Sequence, residues 1–253
     1  MTPDVLALED IMSDGWWPLE HEWDGRWLLR ASEGLTGRGN SALPLGTPSR
    51  PLKEAIDGAA AFYLARGQRP MFAVPLPLEV TGHDDGGPLA SELVRRGYRV
   101  HTPALVMTAR SVAVAAQPPR NGHAPVELLT TPDDDWRGLY RYRGRSLPPV
   151  AEKLLMSAPD VRFAALRLDG TAAAVGRIAV SRGWGGITAM EVAPAYRRRG
   201  YGHRILTALA EYAGRRDAEW LYLQVAEDNV AAQNLFARAG FRAHHRYHYR
   251  VLD

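Results

Sequence analysis

Cysteine is absent from the 253-residue sequence, and its absence removes several kinds of chemistry at once. Disulfide bonds, zinc–thiolate sites and a cysteine acyl-enzyme are all excluded. If the protein transfers an acyl group, the group must pass directly to its acceptor or through another nucleophile. The sequence also lacks an apolar run as long as a membrane span, and its start lacks a basic region followed by an apolar one. We therefore expect a cytoplasmic protein without an export signal.

Lysine is scarce, since Lys53 and Lys153 are the only lysines among 31 basic residues. Neither stands in a Gly-Lys-Ser/Thr sequence, which excludes a Walker-type nucleotide loop. The pI of about 9.3 suggests a polyanionic partner, but the formal net charge is only +3 and the arginines are scattered along the chain. Because nucleic-acid binding needs a contiguous basic surface, we do not expect a nucleic-acid partner.

Residues 190–202 read Met-Glu-Val-Ala-Pro-Ala-Tyr-Arg-Arg-Arg-Gly-Tyr-Gly and predict a strand that breaks at Pro194 and leads into a helix. The first turn of a helix has backbone N–H groups without intrahelical partners, so it can hold a phosphate that comes close enough. Gly200 and Gly202 lack the Cβ atoms that would prevent this approach. The three arginines before them supply the positive charge that a diphosphate needs. The stretch therefore predicts a phosphate-binding loop.

This Arg-x-x-Gly-x-Gly loop, set between a strand and an amphipathic helix, resembles the acetyl-CoA loop of the GCN5-related N-acetyltransferases (GNATs). In that family, loop amides wrap the pyrophosphate of the cosubstrate acetyl-CoA. A second family signature follows at residues 221–241, where an apolar strand and Glu-Asp-Asn precede a helix ending in Arg-Ala-Gly-Phe. The resemblance assigns these residues to coenzyme binding: Met190, Val192, Arg197, Arg198, Arg199, Gly200, Tyr201, Gly202, His203, Asn229, Ala232 and Phe236.

The helix in this second signature has a structural and a functional interpretation. Asp228 or Asn229 can cap its start, and Gly240 can end it in a left-handed conformation. In the family, residues at the positions of Asn229 and Ala232 line the pantetheine arm of the coenzyme. The alternative, that Asn229 is only a cap and Ala232 only a packing residue, stays open. Helical spacing predicts one buried stripe, formed by Ala231, Ala232, Leu235 and Phe236.

The length and the apolar content of 46% suit two globular domains. The resemblance covers residues 125–253, for which it implies a catalytic GNAT domain with an α+β fold and a mixed sheet. Residues 1–116 contain a fainter copy of the same order (helix, strand, helix, Gly-Tyr, strand), with Pro48-Ser-Arg-Pro51 in place of the glycine loop. We interpret this copy as a degenerate GNAT-like domain that has lost its coenzyme site; the alternative is an unrelated α+β domain. Residues 117–124 predict the linker.

A second glycine-rich stretch, 34–40, reads Gly-Leu-Thr-Gly-Arg-Gly-Asn and could be taken for another phosphate loop. The Ser-Ala-Leu-Pro-Leu that follows it predicts an extended chain instead of a helix. Its amides would therefore not converge on an anion as those of a helix N-terminus do, and we discount a phosphate site here.

The resemblance implies that an amine attacks the thioester carbonyl, and it assigns the oxyanion donor to a backbone N–H of the central strand, here that of Val192. Glu191 is the only acid in that strand, and strand alternation points it away from Met190 and Val192. We predict that Glu191 takes a proton from the amine, directly or through water. The alternative is that Glu191 only pairs with an arginine such as Arg177.

The proton donor for the leaving thiolate is where the sequence departs from the family pattern. Many members have a tyrosine where this chain has Phe236, and a phenyl ring cannot donate a proton. Tyr247 and Tyr249 in the last strand are the candidate replacements; the alternatives are departure without assistance and a domain that only binds acyl-CoA. The histidines of the last strand lack the spacing of metal ligands, so we expect no metal site.

These features predict an N-acetyltransferase that moves an acetyl group from acetyl-CoA to the primary amine of a small molecule or a peptide. The fuller pattern resembles tandem GNATs of actinobacteria, some of which are labelled N-acetylglutamate synthase, so glutamate is a candidate acceptor. A non-catalytic acyl-CoA sensor is the alternative function. No membrane partner is expected, and homodimer formation is left open.

Overall fold

The structure is a computed structural model that describes residues 3–80, 87–118, 125–142 and 144–252. Its eight α-helices in these ranges are α1 (Val5–Asp14), α2 (Leu52–Leu64), α3 (Gly87–Arg95), α4 (Ser111–Ala115), α5 (Asp134–Leu139), α6 (Val150–Leu155), α7 (Tyr201–Arg215) and α8 (Val230–Arg238). The strands are β1 (Glu20–Asp24), β2 (Trp27–Ala31), β3 (Ala42–Pro44), β4 (Met71–Pro77), β5 (Arg99–Arg110), β6 (Val126–Leu129), β7 (Val161–Leu168), β8 (Thr171–Ser181), β9 (Trp184–Val192), β10 (Trp220–Ala226) and β11 (Arg242–Val251). None of the helices in the described ranges is long and apolar enough to span a membrane.

The chain divides into two compact units, each with mixed strands and helices. The first unit consists of Met1–Val106 together with Ala243–Asp253, and the second consists of Met107–Arg242. The predicted α+β fold is confirmed. The units differ from the predicted ranges of 1–116 and 125–253, since β5 crosses from the first unit into the second and β11 belongs to the first. Most of the predicted linker, residues 119–124, lies outside the described part of the chain.

The first unit is built on strands in the order β1-β2-β3-β4-β11. Helix α2 covers one face of this sheet, because Ile56, Ala59 and Tyr63 recur at helical spacing and are buried against Trp27 and other core residues. The chain turns out of the helix at a glycine. Gly67 has a left-handed φ of 63°, and the N–H of Gln68 donates to the carbonyl of Tyr63.

The second unit has the strand order β10-β9-β8-β7-β6, in which β9 and β10 are parallel and the other neighbours antiparallel. A turn at Asp169 and Gly170, both with positive φ, joins β7 to β8. Helix α7 packs closely on β8 at Gly176, where a Cβ atom would lie only 2.6 Å from the side chain of Ile205. This close approach fixes the start of α7 relative to the sheet.

The predicted internal repeat is visible in the order α2-β4-α3-β5 and again in α7-β10-α8-β11. Helices α3 and α8 end in the same way: Tyr98 N–H donates to Leu93 O at 2.9 Å, and Phe241 N–H donates to Phe236 O at 3.0 Å. The last strand of the second copy pairs with the first unit, since β11 runs antiparallel to β4 from His245 to Val251. Periodicity in the sequence could not reveal this pairing, because it defines a strand but not its neighbour.

Candidate active site

A bulge in β9 shapes the centre of the second unit. Thr188 pairs with Arg177 of β8 and Glu191 pairs with Val175, so two residues of β9 stand opposite one residue of β8. One of those two, Ala189, has a left-handed φ of 52°. A bulge of this kind bends the strand and increases its twist. It therefore redirects the end of β9 that precedes the phosphate-loop candidate.

The pairing of β9 with β10 ends before either strand does. The last register partners are Ile187 and Leu223, whereas β9 continues to Val192 and β10 to Ala226. The N–H of Ala193 donates to Ala173 on the β8 side at 2.9 Å. Because successive N–H groups of a strand point to opposite sides, the N–H of Val192 points toward the side of β10, where pairing has ended.

The loop between β9 and α7 has the backbone conformation of an anion cradle. A short 3₁₀ turn, Pro194–Tyr196, breaks the strand as predicted. Arg198 and Gly200 then adopt left-handed φ angles of 65° and 82°, and α7 begins at Tyr201. No side chain in the described ranges caps this helix, and its start lies at the positive end of the helix dipole, where an anion is stabilised.

An open cleft of about 1000 Å³ begins at this loop and runs between β9, α7 and α8. Its lining includes three arginines, and Glu191 is its one carboxylate among the described residues. Most of the predicted coenzyme residues lie along it. The cleft is lined by Glu191, Val192, Tyr196, Arg197, Arg198, Gly200, Tyr201, Gly202, His203, Asn229, Ala231, Ala232, Leu235 and Arg238.

Glu191 is paired with an arginine of the loop. Nη2 of Arg197 lies 3.1 Å from Glu191 Oε1, and Nε of Arg197 donates to the carbonyl of Val192, also at 3.1 Å. The arginine suggested by sequence, Arg177, is instead fully buried and donates to the carbonyl of Leu155 at 2.7 Å. The carboxylate of Glu191 is 28% exposed, so it lies at the cleft and is accessible to a small acceptor.

Helix α8 forms the opposite side of the cleft. The side chain of Asn229 accepts a hydrogen bond from Ala232 N at 3.1 Å, which confirms its predicted role as the cap. The predicted buried stripe is wrong in part: Ala231 is exposed and Leu235 half-buried, and both line the cleft, whereas Phe236 is buried. Arg238 continues the cleft-facing row at i+7 from Ala231. Its position could have been found from this spacing, since residues i, i+4 and i+7 share a helix face.

Three residues assigned to coenzyme binding do not line the cleft. The Met190 side chain lies beside Gly176, beneath α7, and the Arg199 guanidinium stands over the ring of Tyr196 at 5.8 Å. Phe236 is buried with its ring 6.0 Å from that of Phe241. His203 does line the cleft, although its Nε2 is engaged by Gln117 Oε1 at 2.9 Å.

Tyr247 and Tyr249, the predicted proton donors, lie in the first unit on β11. Both are buried, and their rings are 5.4 Å apart. Burial raises the pKa of Tyr249 well above 10, so its hydroxyl keeps its proton at physiological pH. Their neighbours on the sheet are β4 residues of the same unit, and their catalytic role stays a prediction.

A family model described as "Probable histone acetyltransferase Rv0428c C-terminal" matches residues 2–250. The chain is 25% identical to a Bacillus subtilis protein called "Uncharacterized N-acetyltransferase YobR", with 98% of both chains covered. It is 29% identical to "Probable histone acetyltransferase Rv0428c" of Mycobacterium tuberculosis, over 98% of this chain and 74% of that protein.

Solved structures support the same fold. A GCN5-related N-acetyltransferase from Kribbella flavida superposes with a TM-score of 0.66, and the match covers 99% of this chain and 96% of that one. The sequence identity between the two is only 13%, so this likeness establishes the fold alone.

Proposed function

Because the chain belongs to the family described as probable histone acetyltransferase Rv0428c C-terminal, within the GCN5-related N-acetyltransferases, we propose that it transfers the acetyl group of acetyl-CoA to a primary amine. The observation that carries this proposal is the cleft of the second unit. It joins an uncapped helix start, a gap between β9 and β10, and several arginines in one open groove.

The residues of the cleft fit coenzyme A. The first-turn amides of α7, with Gly200 and Gly202, would hold the diphosphate, and Arg198 and Arg238 would balance its charge. Gly202 brings the helix start close to α8, because a Cβ atom there would lie 3.2 Å from Leu235. When bound, the coenzyme supplies an activated acetyl thioester. The side chains of Asn229 and Ala232 would lie along its pantetheine arm.

The chain's own groups would supply the rest of the chemistry. We assign Glu191 as the base that removes a proton from the attacking amine, because it is the one carboxylate of the cleft in the described structure. The N–H of Val192, directed away from β8, would donate to the oxygen that develops negative charge. Phe236 has no hydroxyl and cannot protonate a leaving thiolate, so Tyr247 and Tyr249 remain the proposed donors. The acceptor is proposed to be a small amine or a peptide.

Calorimetric titration with acetyl-CoA, followed by a free-thiol assay in the same sample, tests the proposal. The acceptor panel should contain glutamate, polyamines, peptide N-termini and a lysine-containing histone peptide, the last because of the relative's name. We expect binding without an acceptor and thiol release only with one acceptor class. Binding without release from any acceptor would favour the acyl-CoA sensor, and absence of binding would contradict the coenzyme site.

Glu191→Gln separates binding from chemistry. We expect wild-type affinity for acetyl-CoA and a transfer rate lowered by about 100-fold, with the largest loss at low pH where more of the amine is protonated. Glu211→Gln is the matched control, because Glu211 is an exposed carboxylate on α7 outside the cleft. A wild-type rate profile across pH for Glu191→Gln would remove Glu191 as the base.

A further inference from the structure

The side chain of Arg197 turns back onto the end of β9, although the resemblance assigns it to the coenzyme together with its neighbours. The 3₁₀ turn Pro194–Tyr196 reverses the chain, so Arg197 lies beside the strand that precedes it. Its Nε donates to the carbonyl of Val192 and its Nη2 donates to Glu191 Oε1, each at 3.1 Å. One guanidinium therefore contacts both residues to which the proposed chemistry is assigned.

The contact with Val192 fixes the place of the guanidinium. The N–H of Ala193 points to β8 and donates to Ala173 at 2.9 Å. Because the N–H and the carbonyl of one strand residue point to the same side, and the side alternates along the strand, the carbonyl of Val192 points away from β8. Arg197 is thus anchored on the side where the pairing with β10 has ended, the side of the N–H that would bind the oxyanion.

The contact with Glu191 restricts the carboxylate and leaves one of its oxygens available. Arg197 meets Oε1 alone, and Oε2 has no hydrogen-bond partner within the described ranges. The side chain of Glu191 is 28% exposed, so without this contact it would be free to move between staggered rotamers. With Oε1 held by the guanidinium, Oε2 remains as an acceptor for a proton.

The neighbouring Arg198 is placed differently. It has a left-handed φ of 65°, lines the cleft, and forms no ion pair or side-chain hydrogen bond in the part of the chain that the structure describes. Arg198 is therefore available to a diphosphate, whereas Arg197 already has a carboxylate and a carbonyl as partners. The loop motif does not distinguish these two adjacent arginines, but their contacts do.

We propose that Arg197 is a positioning residue that orients the carboxylate of Glu191 toward the attacking amine. The amine gives its proton to Oε2, and its nitrogen lone pair then attacks the thioester carbonyl. The guanidinium stays protonated throughout and keeps Oε1 in place. This role rests on the proposed acetyl transfer. Its effect belongs to the chemical step, because a misplaced base slows the reaction without weakening the binding of the coenzyme.

Arg197→Gln and Arg198→Gln remove the same charge from adjacent positions, so each is the control for the other. Calorimetry measures acetyl-CoA affinity, and thiol release with glutamate, spermidine or a lysine-containing histone peptide measures kcat. We expect Arg197→Gln to keep the affinity within about twofold and to lower kcat by about tenfold. Arg198→Gln should weaken acetyl-CoA by about tenfold and keep kcat within about twofold at saturating coenzyme. Both variants should fold, since exposed ion pairs contribute little stability.

A double variant shows whether Arg197 acts through Glu191. A glutamine at position 191 cannot take the proton, so Arg197 then has no base to orient. We expect kcat of Glu191→Gln with Arg197→Gln to lie within about twofold of that of Glu191→Gln alone. A further tenfold fall in the double variant would overturn the positioning role.

Two other outcomes separate this role from the function on which it rests. If the wild type releases thiol but Arg197→Gln loses affinity with kcat unchanged, Arg197 is a coenzyme ligand and the positioning role is wrong. If the wild type releases no thiol with any of the three acceptors, acetyl transfer to these amines is contradicted, and the positioning role is overturned with it.

Discussion

The loops that precede α2 and α7 occupy equivalent places in the internal repeat. The loop before α2 contacts a carboxylate of the chain itself, whereas the loop before α7 borders an open cleft. In the first unit, Asp24 lies beside the loop before α2. Its carboxylate accepts hydrogen bonds from the N–H of Ser49, at 3.1 Å, and from the Ser49 hydroxyl, and it pairs with Arg50 at 3.1 Å. Gly25 permits this contact, because a Cβ atom there would lie 2.5 Å from the backbone of Ser49.

In the second unit the corresponding loop is left open. Gly200 and Gly202 keep the start of α7 accessible, no side chain caps it, and the loop borders a cleft. Neither α2 nor α7 has a side-chain cap within the described ranges, so the difference lies in the loops: a carboxylate of the chain itself occupies the loop before α2 at Ser49, whereas the loop before α7 borders an open cleft. This contrast supports our interpretation of the first unit as a degenerate copy that kept the fold and lost the coenzyme site.

A larger side chain at the start of α7 should have the largest effect, a loss of affinity for acetyl-CoA. Gly202→Val would push against Leu235 and Val192, whose side chains lie 3.2 and 3.5 Å from the position of the new Cβ and line the cleft. We expect acetyl-CoA affinity to fall by about 100-fold, or ~2.7 kcal/mol, in a titration. Gly214→Val is the control, because it lies on the same helix with no atom within 4 Å of its Cβ position. Equal losses in both variants would show that the effect is not local.

Removing the carboxylate that contacts the loop before α2 should lower the stability of the fold and leave coenzyme binding unchanged. Asp24→Ala removes the acceptor of the Ser49 donors and the partner of Arg50. The pKa of Asp24 reflects this environment: burial raises it, but the Ser49 hydrogen bonds and Arg50 lower it further, to below its usual value. We expect the free energy of unfolding to fall by about 2 kcal/mol, measured by urea denaturation. Coenzyme affinity should stay at the wild-type value, and a change in that affinity would contradict the separation of the two loops.

Removing one arginine from the cleft should have a smaller effect on the affinity for acetyl-CoA. We expect Arg238→Gln to weaken acetyl-CoA binding by about tenfold, or ~1.4 kcal/mol, with a shallower dependence on salt. Arg215→Gln, at the exposed end of α7, removes the same charge away from the cleft. If Arg215→Gln weakened binding as much as Arg238→Gln, general attraction between the coenzyme and a basic protein would explain both.

The smallest effect concerns the pH dependence of the first unit. Burial lowers the pKa of His244 below 6.5, and its Nδ1 lies 2.8 Å from that of His245. Because the folded chain favours neutral His244, its contribution to stability is full above about pH 6.5 and is lost as the pH falls below it. His244→Asn should flatten unfolding free energies between pH 7 and 5. An unchanged slope in this variant would assign the dependence to other groups.

The sequence predicts the local elements of the second unit better than the partners of its strands. The Arg-x-x-Gly-x-Gly loop, the cap at Asn229 and the helix end at Gly240 each depend on residues close together in the chain, and each has the predicted conformation. The pairing of β11 with β4 depends instead on contacts between residues far apart in sequence. Alternation along a strand gives no information about such a partner.

In the cleft, too, the features that follow from local sequence are predicted and those that depend on distant contacts are not. Its glycines and Asn229 are found from a motif, and Arg238 could have been found from its helical spacing with Ala231 and Leu235 once one of these was known to line the cleft. The bulge at Ala189 could not be predicted, because alanine has no preference for a left-handed φ and only the register shift between Val175 and Arg177 reveals the extra residue. The contact of Asp24 with the loop before α2 could not be predicted either, because Asp24 lies 25 residues before its partner Ser49.

The most direct test of the contrast between the two loops is the number of acetyl-CoA molecules that one chain binds, measured by calorimetric titration. We predict one site per chain in the wild type and none detectable in Gly202→Val at the same concentrations. Two sites per chain would show that the first unit also binds the coenzyme. One site that persists unchanged in Gly202→Val would contradict our assignment of the coenzyme to the cleft of the second unit.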